Sequence, residues 1–408
     1  MSYMQVEEVV RRTELETPTG WQCGELLNFL ELQRGVDLPL QDRVHGEVPI
    51  FGSNGLLGSH NASVADGPGV ITGRSGTIGK LFYTENRYWP LNTSLYVKNF
   101  KGNLPKFVYY KLDEVGLAKF STGTGVPTLN RNVAHKEVVV FPPLPEQNKI
   151  AAILTAVDDK LNLIARQIEA TQTLKRGLMQ TLFNRGVGTQ DADGRWVPHA
   201  EFKDSELGEI PVGWEVQPLA SISQETRARN AGILDDALLC GVLKDQGLIP
   251  MRERVKGATT DRCRVVESNA FAYNPMRINI GSIARNLRDH AVMVSPDYVV
   301  FATKPGELMY SYLDHFRRSD EWQRFVGRSG DGGVRIRIYY DDLAQLRMKV
   351  PPLEEQARIV EVLDCVSKKL NNLTTKQREF QTLKRGLMQK LLTGEWRVKL
   401  EGAEPLAA

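Results

Sequence analysis

Apolar residues recur in alternating steps of four and three along two long stretches of the chain. In the first they fall at Ile150, Leu154, Val157, Leu161, Ile164 and Ile168, and the same steps continue through Thr171, Lys175, Leu178 and Leu182. In the second they fall at Ile359, Leu363, Val366, Leu370 and Leu373, then Gln377, Phe380, Lys384, Leu387 and Leu391. Eight of the ten positions are apolar in each stretch, which marks a heptad seam, narrower than a general amphipathic face. Each stretch predicts a helix of about 39 residues, roughly 58 Å long at 1.5 Å per residue. Pro145 suits the first turn of the first helix, where a missing N–H costs nothing. A single seam cannot bury itself, so the two helices are expected to pair with each other, antiparallel. The competing reading has each helix capping its own globular domain.

The two stretches are copies. Residues Gln172–Gln180 (QTLKRGLMQ) recur unchanged as Gln381–Gln389, and Pro142-Pro143-Leu144-Pro145-Glu146-Gln147 matches Pro351-Pro352-Leu353-Glu354-Glu355-Gln356. The offset is 209 residues at both places (172 to 381, 147 to 356). A shorter echo precedes each copy, Pro18-Thr19-Gly20-Trp21 and Pro211-Val212-Gly213-Trp214, at an offset of 193 (21 to 214). A chain built twice on one plan is expected to place its halves about a pseudo-two-fold axis. Gly177 and Gly386 lie within the predicted helices just off the seam, where glycine costs about 1 kcal/mol relative to alanine. Close approach of a third element, as in docking of a partner, and a local kink near the helix end both explain them.

Between the echoes the pattern changes to short β-branched runs bounded by glycine and asparagine. Val48-Pro49-Ile50, Gly69–Thr72, Ser94–Val97 and Glu137–Val140 predict strands in the first region. Cys263–Val266, Tyr298–Phe301 and Val334–Ile338 do so in the second. Each region also predicts a helix, near Pro105–Glu114 and near Leu308–Phe325. The fold class is α+β: two β-rich globular domains separated by two long antiparallel coiled-coil helices. The domain plan is an N-terminal arm (1–20), a first head (21–141), a central helix (142–186), a linker (187–213), a second head (214–350), a C-terminal helix (351–394) and a tail (395–408). A symmetric frame with two unlike heads suits recognition of two unlike things at a fixed separation.

Composition adds little and excludes much. Apolar content of 41%, charged content of 25% and a net charge of +3 are ordinary for a soluble globular protein. They announce no global field toward nucleic acid, although a local basic surface is compatible with them. No run of eighteen apolar residues marks a membrane span, and MSYMQVEEVVRR lacks the apolar core of a signal peptide. The four cysteines form no CxxC pair. That pattern predicts a cytoplasmic protein with buried free thiols and no structural zinc site.

Several motifs resemble catalytic ones and fail. Gly73–Lys80 (GRSGTIGK) has Arg74 where a Walker A loop needs glycine and Leu81 where it needs Ser or Thr. Asn274-Pro275-Met276 lacks the second proline and the aromatic of an adenine methyltransferase motif. No histidine spacing suits a metal, and no nucleophile elbow exists. The chain offers no catalytic centre and no cofactor site of its own. Both loops still carry chemistry suited to DNA: Arg74, Ser75, Thr77 and Lys80 in the first, and Arg277, Asn279 and Arg285 beside Tyr273 in the second. Two glycine-rich loops, Ser121–Gly125 and Arg328–Gly333, bring Thr122, Gly123, Thr124 and Arg328 as candidate phosphate contacts. The plainer reading of all these loops is strand-to-strand turns with exposed polar residues.

The paired Pro-Pro-Leu-x-Glu-Gln and Gln-Thr-Leu-Lys-Arg-Gly-Leu-Met-Gln segments, with Phe202–Trp214, resemble the specificity subunit of type I restriction–modification systems. Pro49–Gly58 followed by Ile71–Gly79 resembles a recurrent type of target-recognition domain in that family. The resemblance covers almost the whole chain. It implies that each head reads one half of a split, asymmetric site in double-stranded DNA, and that the two helices set the spacer between the halves. It also implies two docked methylation subunits that bind S-adenosylmethionine and methylate adenine at N6. Motor–nuclease subunits using ATP and magnesium would complete the restriction enzyme. The chain itself is then a non-catalytic reader. The alternative, from a different class, is a coiled-coil scaffold whose heads bind proteins and have no DNA role.

Overall fold

The computed structural model describes residues 17–122, 127–244, 246–251, 259–328 and 337–400. The chain divides into two compact units, residues 1–165 with 375–408, and residues 166–374. This division cuts across the sequence copies. The two long helices, Leu144–Arg185 and Leu353–Leu392, each contribute one half to each unit.

In the first unit a four-stranded antiparallel sheet runs in the order Glu31–Arg34, Ser94–Asn99, Gly69–Gly73, Leu81–Thr84. A smaller sheet joins Val48–Gly52 antiparallel to Gly55–His60 and parallel to Trp89–Pro90. The ribbon Gln22–Glu25 with Val138–Phe141 leads the chain into the first long helix. The helix Pro105–Val115 starts on a proline and stops at Gly116, whose φ of +70 suits a left-handed cap. It buries Phe107, Val108, Tyr110 and Leu112 against the large sheet and the long helices. That core takes Ile150, Ala151 and Leu154 from the start of one long helix and Met388, Leu391 and Leu392 from the end of the other. The two helices are therefore antiparallel within this unit.

The second unit repeats the plan. Its four-stranded sheet has the order Ser223–Glu225, Val299–Thr303, Phe271–Tyr273, Ile283–Arg285, the same topological sequence as in the first unit. Its entry ribbon pairs Glu215–Pro218 with Arg347–Val350. Its main core takes Met179, Leu182 and Phe183 from the end of the first long helix and Ile359, Val360 and Leu363 from the start of the second. A satellite core around Val266, Val292 and Val294 includes Ala272, Ala284 and Val300 of the large sheet, and in the first unit Phe51 and Tyr88 gather Ile71 and Tyr96 of its sheet in a smaller cluster.

All twenty seam positions are buried or half-buried, whereas most of their helical neighbours are exposed. This holds through Leu161, Ile164 and Ile168 in one helix and Val366, Leu370, Leu373 and Phe380 in the other. The helices run 42 and 40 residues.

Three expectations need correction, and others fall outside the described residues. The helix expected over Leu308–Phe325 is two helices, Tyr310–Phe316 and Asp320–Arg328. Ser319 separates them, and its hydroxyl accepts from Trp322 N and caps the second. The stretch 187–213, expected as a linker, holds two small antiparallel ribbons, Thr189–Gln190 with Trp196–Val197 and Phe202–Lys203 with Ile210–Pro211. Of the cysteines, Cys240 and Cys263 are buried, but Cys23 and Cys365 are exposed, and all four are free. Most of Val334–Ile338, expected as a strand, lies outside the described residues, as do most of the glycine-rich loops Ser121–Gly125 and Arg328–Gly333.

Candidate nucleic-acid interface

The duplicated motifs meet each other inside each unit. In the first, Trp21 donates its indole N–H to Glu146 at 3.2 Å. In the second, Trp214 donates to Glu355 at 2.7 Å. The adjacent glutamines act alike: Gln147 accepts from Leu104 N at 2.9 Å and donates to Pro142 O, and Gln356 accepts from Met309 N at 2.8 Å and donates to Pro351 O. Each glutamate also holds the stretch that follows the opposite long helix. Arg397 reaches Glu146, while Val187 N, Gly188 N and His199 reach Glu355. These buried clasps tie the entry of each head to the start of the long helix that leaves it.

In the first unit an open groove of about 860 Å³ lies beside the edge strand Glu31–Arg34. It is lined by Gln33, Arg34, Arg74, Asn92, Thr122 and the strip Thr128–Asn132, among others. The loop that carries Arg74 is rigid. Its N–H donates to Thr93 O at 2.9 Å and its carbonyl accepts from Leu129 N at 2.8 Å. At Gly73 a Cβ would lie 1.7 Å from Thr77 O, so only glycine lets the loop fold back on itself. The Arg74 guanidinium has no hydrogen-bond or ion-pair partner among the described residues. Asn92 is braced by Asp37 at 2.8 Å, and Arg34 donates to Asn92 O at 3.3 Å.

In the second unit a groove of about 770 Å³ occupies the matching place. Its walls are Glu225, Arg227, Arg229 and Arg264 along the edge strand and beside it, Pro275 and Met276 on the loop after Phe271–Tyr273, and Arg337–Asp341. Ile338 N donates to Pro275 O at 3.1 Å, the same bond that Leu129 N makes to Arg74 O. Leu129 and Ile338 are both buried and stand at the 209-residue offset of the helices. The short helices that follow, Arg131–Ala134 and Tyr340–Leu343, keep that offset. Glu225 occupies two of the arginines, Arg227 at 2.7 Å and Arg264 at 3.5 Å. The hydrogen bond and charge of Glu225 push the Arg227 guanidinium further up. Burial raises the Tyr340 hydroxyl, which meets Ser223 Oγ at 2.9 Å.

The grooves gather only some of the residues expected from sequence. Arg74 and Thr122 line the first groove. Ser75 and Thr77 sit half-buried on the same loop, Thr77 donating to Asn54 at 3.2 Å. Lys80 is exposed over the Phe82 ring at 5.3 Å. Arg277 and Asn279 are exposed on the loop topologically equivalent to that of Arg74, outside the groove lining. Arg328 is exposed at a helix end. Gly123 and Thr124 lie outside the described residues.

Two candidates are corrected. Tyr273 is fully buried in the core, edge-on to the Phe301 ring, and burial raises its hydroxyl far above the ordinary phenol range. It supports the sheet and cannot touch a ligand. Arg285 lies over the Tyr310 ring at 4.9 Å with its Nε and Nη1 shut away from solvent. It is a packing residue on the last strand of the sheet. The strands 271–273 and 283–285 are buried almost throughout, which the loop-centred sequence reading missed.

The structure adds Gln33, Asn130, Asn132, Arg229 and Asp341, which sequence reasoning did not single out, and brings Arg337 of the second head's basic residues to the groove. One signal was available: Leu129 and Ile338 extend the 209-residue match upstream of the helices. At Gly177 and Gly386 an added Cβ would meet nothing within 4 Å, so no third element of the described chain approaches either glycine. No group of three or more His, Cys, Asp or Glu that could hold a metal occurs among the described residues. Among them, too, no helix is long and apolar enough to cross a membrane.

Residues 18–172 match the model of the type I restriction modification DNA specificity domain. The chain is 26% identical over 307 residues to the type I restriction enzyme MjaVIII specificity subunit of Methanocaldococcus jannaschii, covering 72% of this chain and 70% of that one. It is 26% identical to the putative MjaX specificity subunit of the same organism, covering 64% of this chain and 60% of the relative. A putative type I specificity subunit of Haemophilus influenzae is 22% identical over 81% of this chain and 83% of its own length. The fold is that of the crystal structure of the type I S subunit from M. genitalium, at 14% identity and a TM-score of 0.60 over 93% of this chain and 97% of that one. Residues 18–172 thus match a type I restriction modification DNA specificity domain, and the chain is similar over most of its length to specificity subunits of type I restriction–modification systems.

Proposed function

We propose that this chain reads a bipartite, asymmetric site in double-stranded DNA, one half-site per groove, and directs adenine-N6 methylation and restriction by partner subunits. The observation that carries the reading is the recurrence of one groove, built at the same place on the same sheet topology, with unlike side chains in its two copies. Arginines and amides on a braced backbone suit base edges and phosphates. The chain is non-catalytic in this reading: S-adenosylmethionine, ATP and magnesium belong to two methylation subunits and to motor–nuclease subunits. The long helices form an antiparallel coiled coil about a pseudo-two-fold axis, and their fixed length sets one spacer between the half-sites. The identical surfaces around Gly177 and Gly386 dock the two copies of the methylation subunit.

The test is genome-wide N6-methyladenine mapping in the host with and without this gene. Loss of methylation at one split motif with a constant spacer is the expected result. Unchanged methylation, together with duplex binding that shows no sequence preference at any salt concentration, would leave the protein-binding scaffold as the better reading.

A further inference from the structure

The two grooves share a wall that superimposes in sequence. Thr128, Asn130 and Asn132 of the first stand at the 209-residue offset from Arg337, Tyr339 and Asp341 of the second, and all six line their grooves. Both strips are anchored identically, through Leu129 N to Arg74 O and Ile338 N to Pro275 O. The same three positions of the same scaffold therefore present different chemistry. Asn132 and Asp341 are both exposed, and neither side chain has a hydrogen-bond partner among the described residues. Asp341 is free because its neighbour Asp342 does the capping, accepting from Tyr339 N at 3.0 Å. Arg337 is exposed and unpaired among the described residues, unlike Arg227 and Arg264, which Glu225 occupies.

The lining differs by class of donor. Beside Asn132 the first groove presents Gln33, also without a partner among the described residues, whereas no amide side chain lines the second groove among those residues. Amides pair bidentately with the N6 and N7 edge of adenine, arginine with the O6 and N7 edge of guanine, and a carboxylate accepts from the N4 amine of cytosine. We propose that these strips are the base-reading elements: Asn132, with Gln33 beside it, reads adenine in one half-site, and Arg337 with Asp341 reads guanine and cytosine in the other. The proposal rests on the DNA-reading function above and assigns the residues that set its specificity.

The test is methylation mapping in cells that carry the full complex, comparing the wild-type chain with Asp341→Asn, Asn132→Asp and Arg337→Lys. The two carboxylate–amide exchanges are near-isosteric, and all three side chains are exposed. Asp341→Asn is expected to move one position of one half-site from cytosine toward adenine and to leave the other half-site unchanged. Asn132→Asp should make the converse change in the other half. Arg337→Lys, which keeps the charge and loses the fork, should relax one guanine position about 10- to 100-fold. Replacing that guanine by 7-deazaguanine in a duplex should weaken binding of the wild-type complex more than that of the Arg337→Lys complex, and an equal effect of zero on both would overturn the contact. Methylation that persists with both half-sites unaltered overturns the assignment while the function stands. A change in both half-sites at once from a single substitution overturns it too. If the wild-type chain directs no methylation at any split motif, the function and the assignment fall together.

Discussion

Trp214 donates its indole N–H to the Glu355 carboxylate at 2.7 Å, and Glu355 is almost fully buried. Trp21 and Glu146 repeat the contact at 3.2 Å. The pairing explains why two echoes at unequal offsets, 193 and 209, persist in one chain. The tryptophan opens a head and the glutamate opens the long helix that leaves it. Closing the head between these two residues fixes its entry and exit, while the loops between are free to differ in length and chemistry.

Glu355 satisfies four donors at once, Trp214 Nε1, Val187 N, Gly188 N and the His199 ring. Glu355→Ala strands buried N–H groups, each costing about 1–3 kcal/mol. The second unit should lose at least about 3 kcal/mol, read as a lower denaturant midpoint. Trp214→Phe, which drops one donor and part of the packed aromatic surface but leaves the other three donors to Glu355, should lose about half as much. Equal losses would show that packing of the ring, not the hydrogen bond, holds the clasp.

Gly186 follows the last turn of the first long helix with φ of +69, and its N–H donates to Leu182 O at 3.1 Å. A Cβ there would lie 2.0 Å from Glu355 Oε1 and 2.7 Å from the Trp214 ring. Gly186→Ala therefore combines left-handed strain of about 1–2 kcal/mol with displacement of the clasp. It should destabilise the protein more than Gly194→Ala, where φ is +74 but no atom lies within 4 Å. Thermal unfolding of the two variants separates steric from backbone effects, and equal midpoints would contradict the account.

Two histidines make the fold acid-sensitive. Leu32 N donates to His135 Nε2 at 2.8 Å, a bond only the neutral ring accepts. Burial, then the charge of Arg131, lowers the His135 pKa, with Glu31 opposing and Lys101 adding to the fall. Burial also lowers His315, outweighing its bond to Asp364. A folded-state pKa below the unfolded value means that the native state binds fewer protons. Stability is then full above about pH 6.5 and is lost as pH falls from there toward the lowered values. The melting temperature should decline through that window, and His135→Gln, which retains an acceptor, should decline less steeply. Identical slopes would remove His135 from the effect.

Arg74 is held with both backbone bonds made and its guanidinium free to face the first groove. Arg74→Ala should cost about 1–3 kcal/mol in binding to the cognate duplex if it reads a base. A loss that is uniform across sequences and lowers the salt slope by about one unit would make it a phosphate contact instead.

How much of this was legible in the chain follows from where each signal resides. The seam was legible because a heptad is periodic, and every one of its positions is buried or half-buried. The clasp was visible as two echoes, but nothing in sequence spacing says that residues 21 and 146 touch, since that depends on the path of a whole head. The grooves were half legible. Arg74 stands in a glycine-rich loop that invites attention. Gln33 sits in an ordinary edge strand, and Asn132 and Asp341 begin short helices with no motif. Tyr273 and Arg285 misled because they flank a loop rich in DNA-like residues while their own strands point inward.

Gly177 and Gly386 give the last prediction. Both lie well inside long helices, and an added Cβ would meet open space. Alanine at either site should therefore stabilise the isolated chain, by roughly 0.5–1 kcal/mol, because glycine is the poorer helix former. A glycine kept twice at that disadvantage makes sense if a partner backbone passes where the methyl would stand. Each substitution should then weaken assembly with the methylation subunit, and the double substitution should weaken it at both places. Calorimetry on the chain alone and titration of the complex read the two effects separately. Stabilisation with unaltered assembly would mean that the repeated surface is not where the partner docks. Destabilisation of the isolated chain would mean that the helices need a kink there, the other explanation the sequence leaves open.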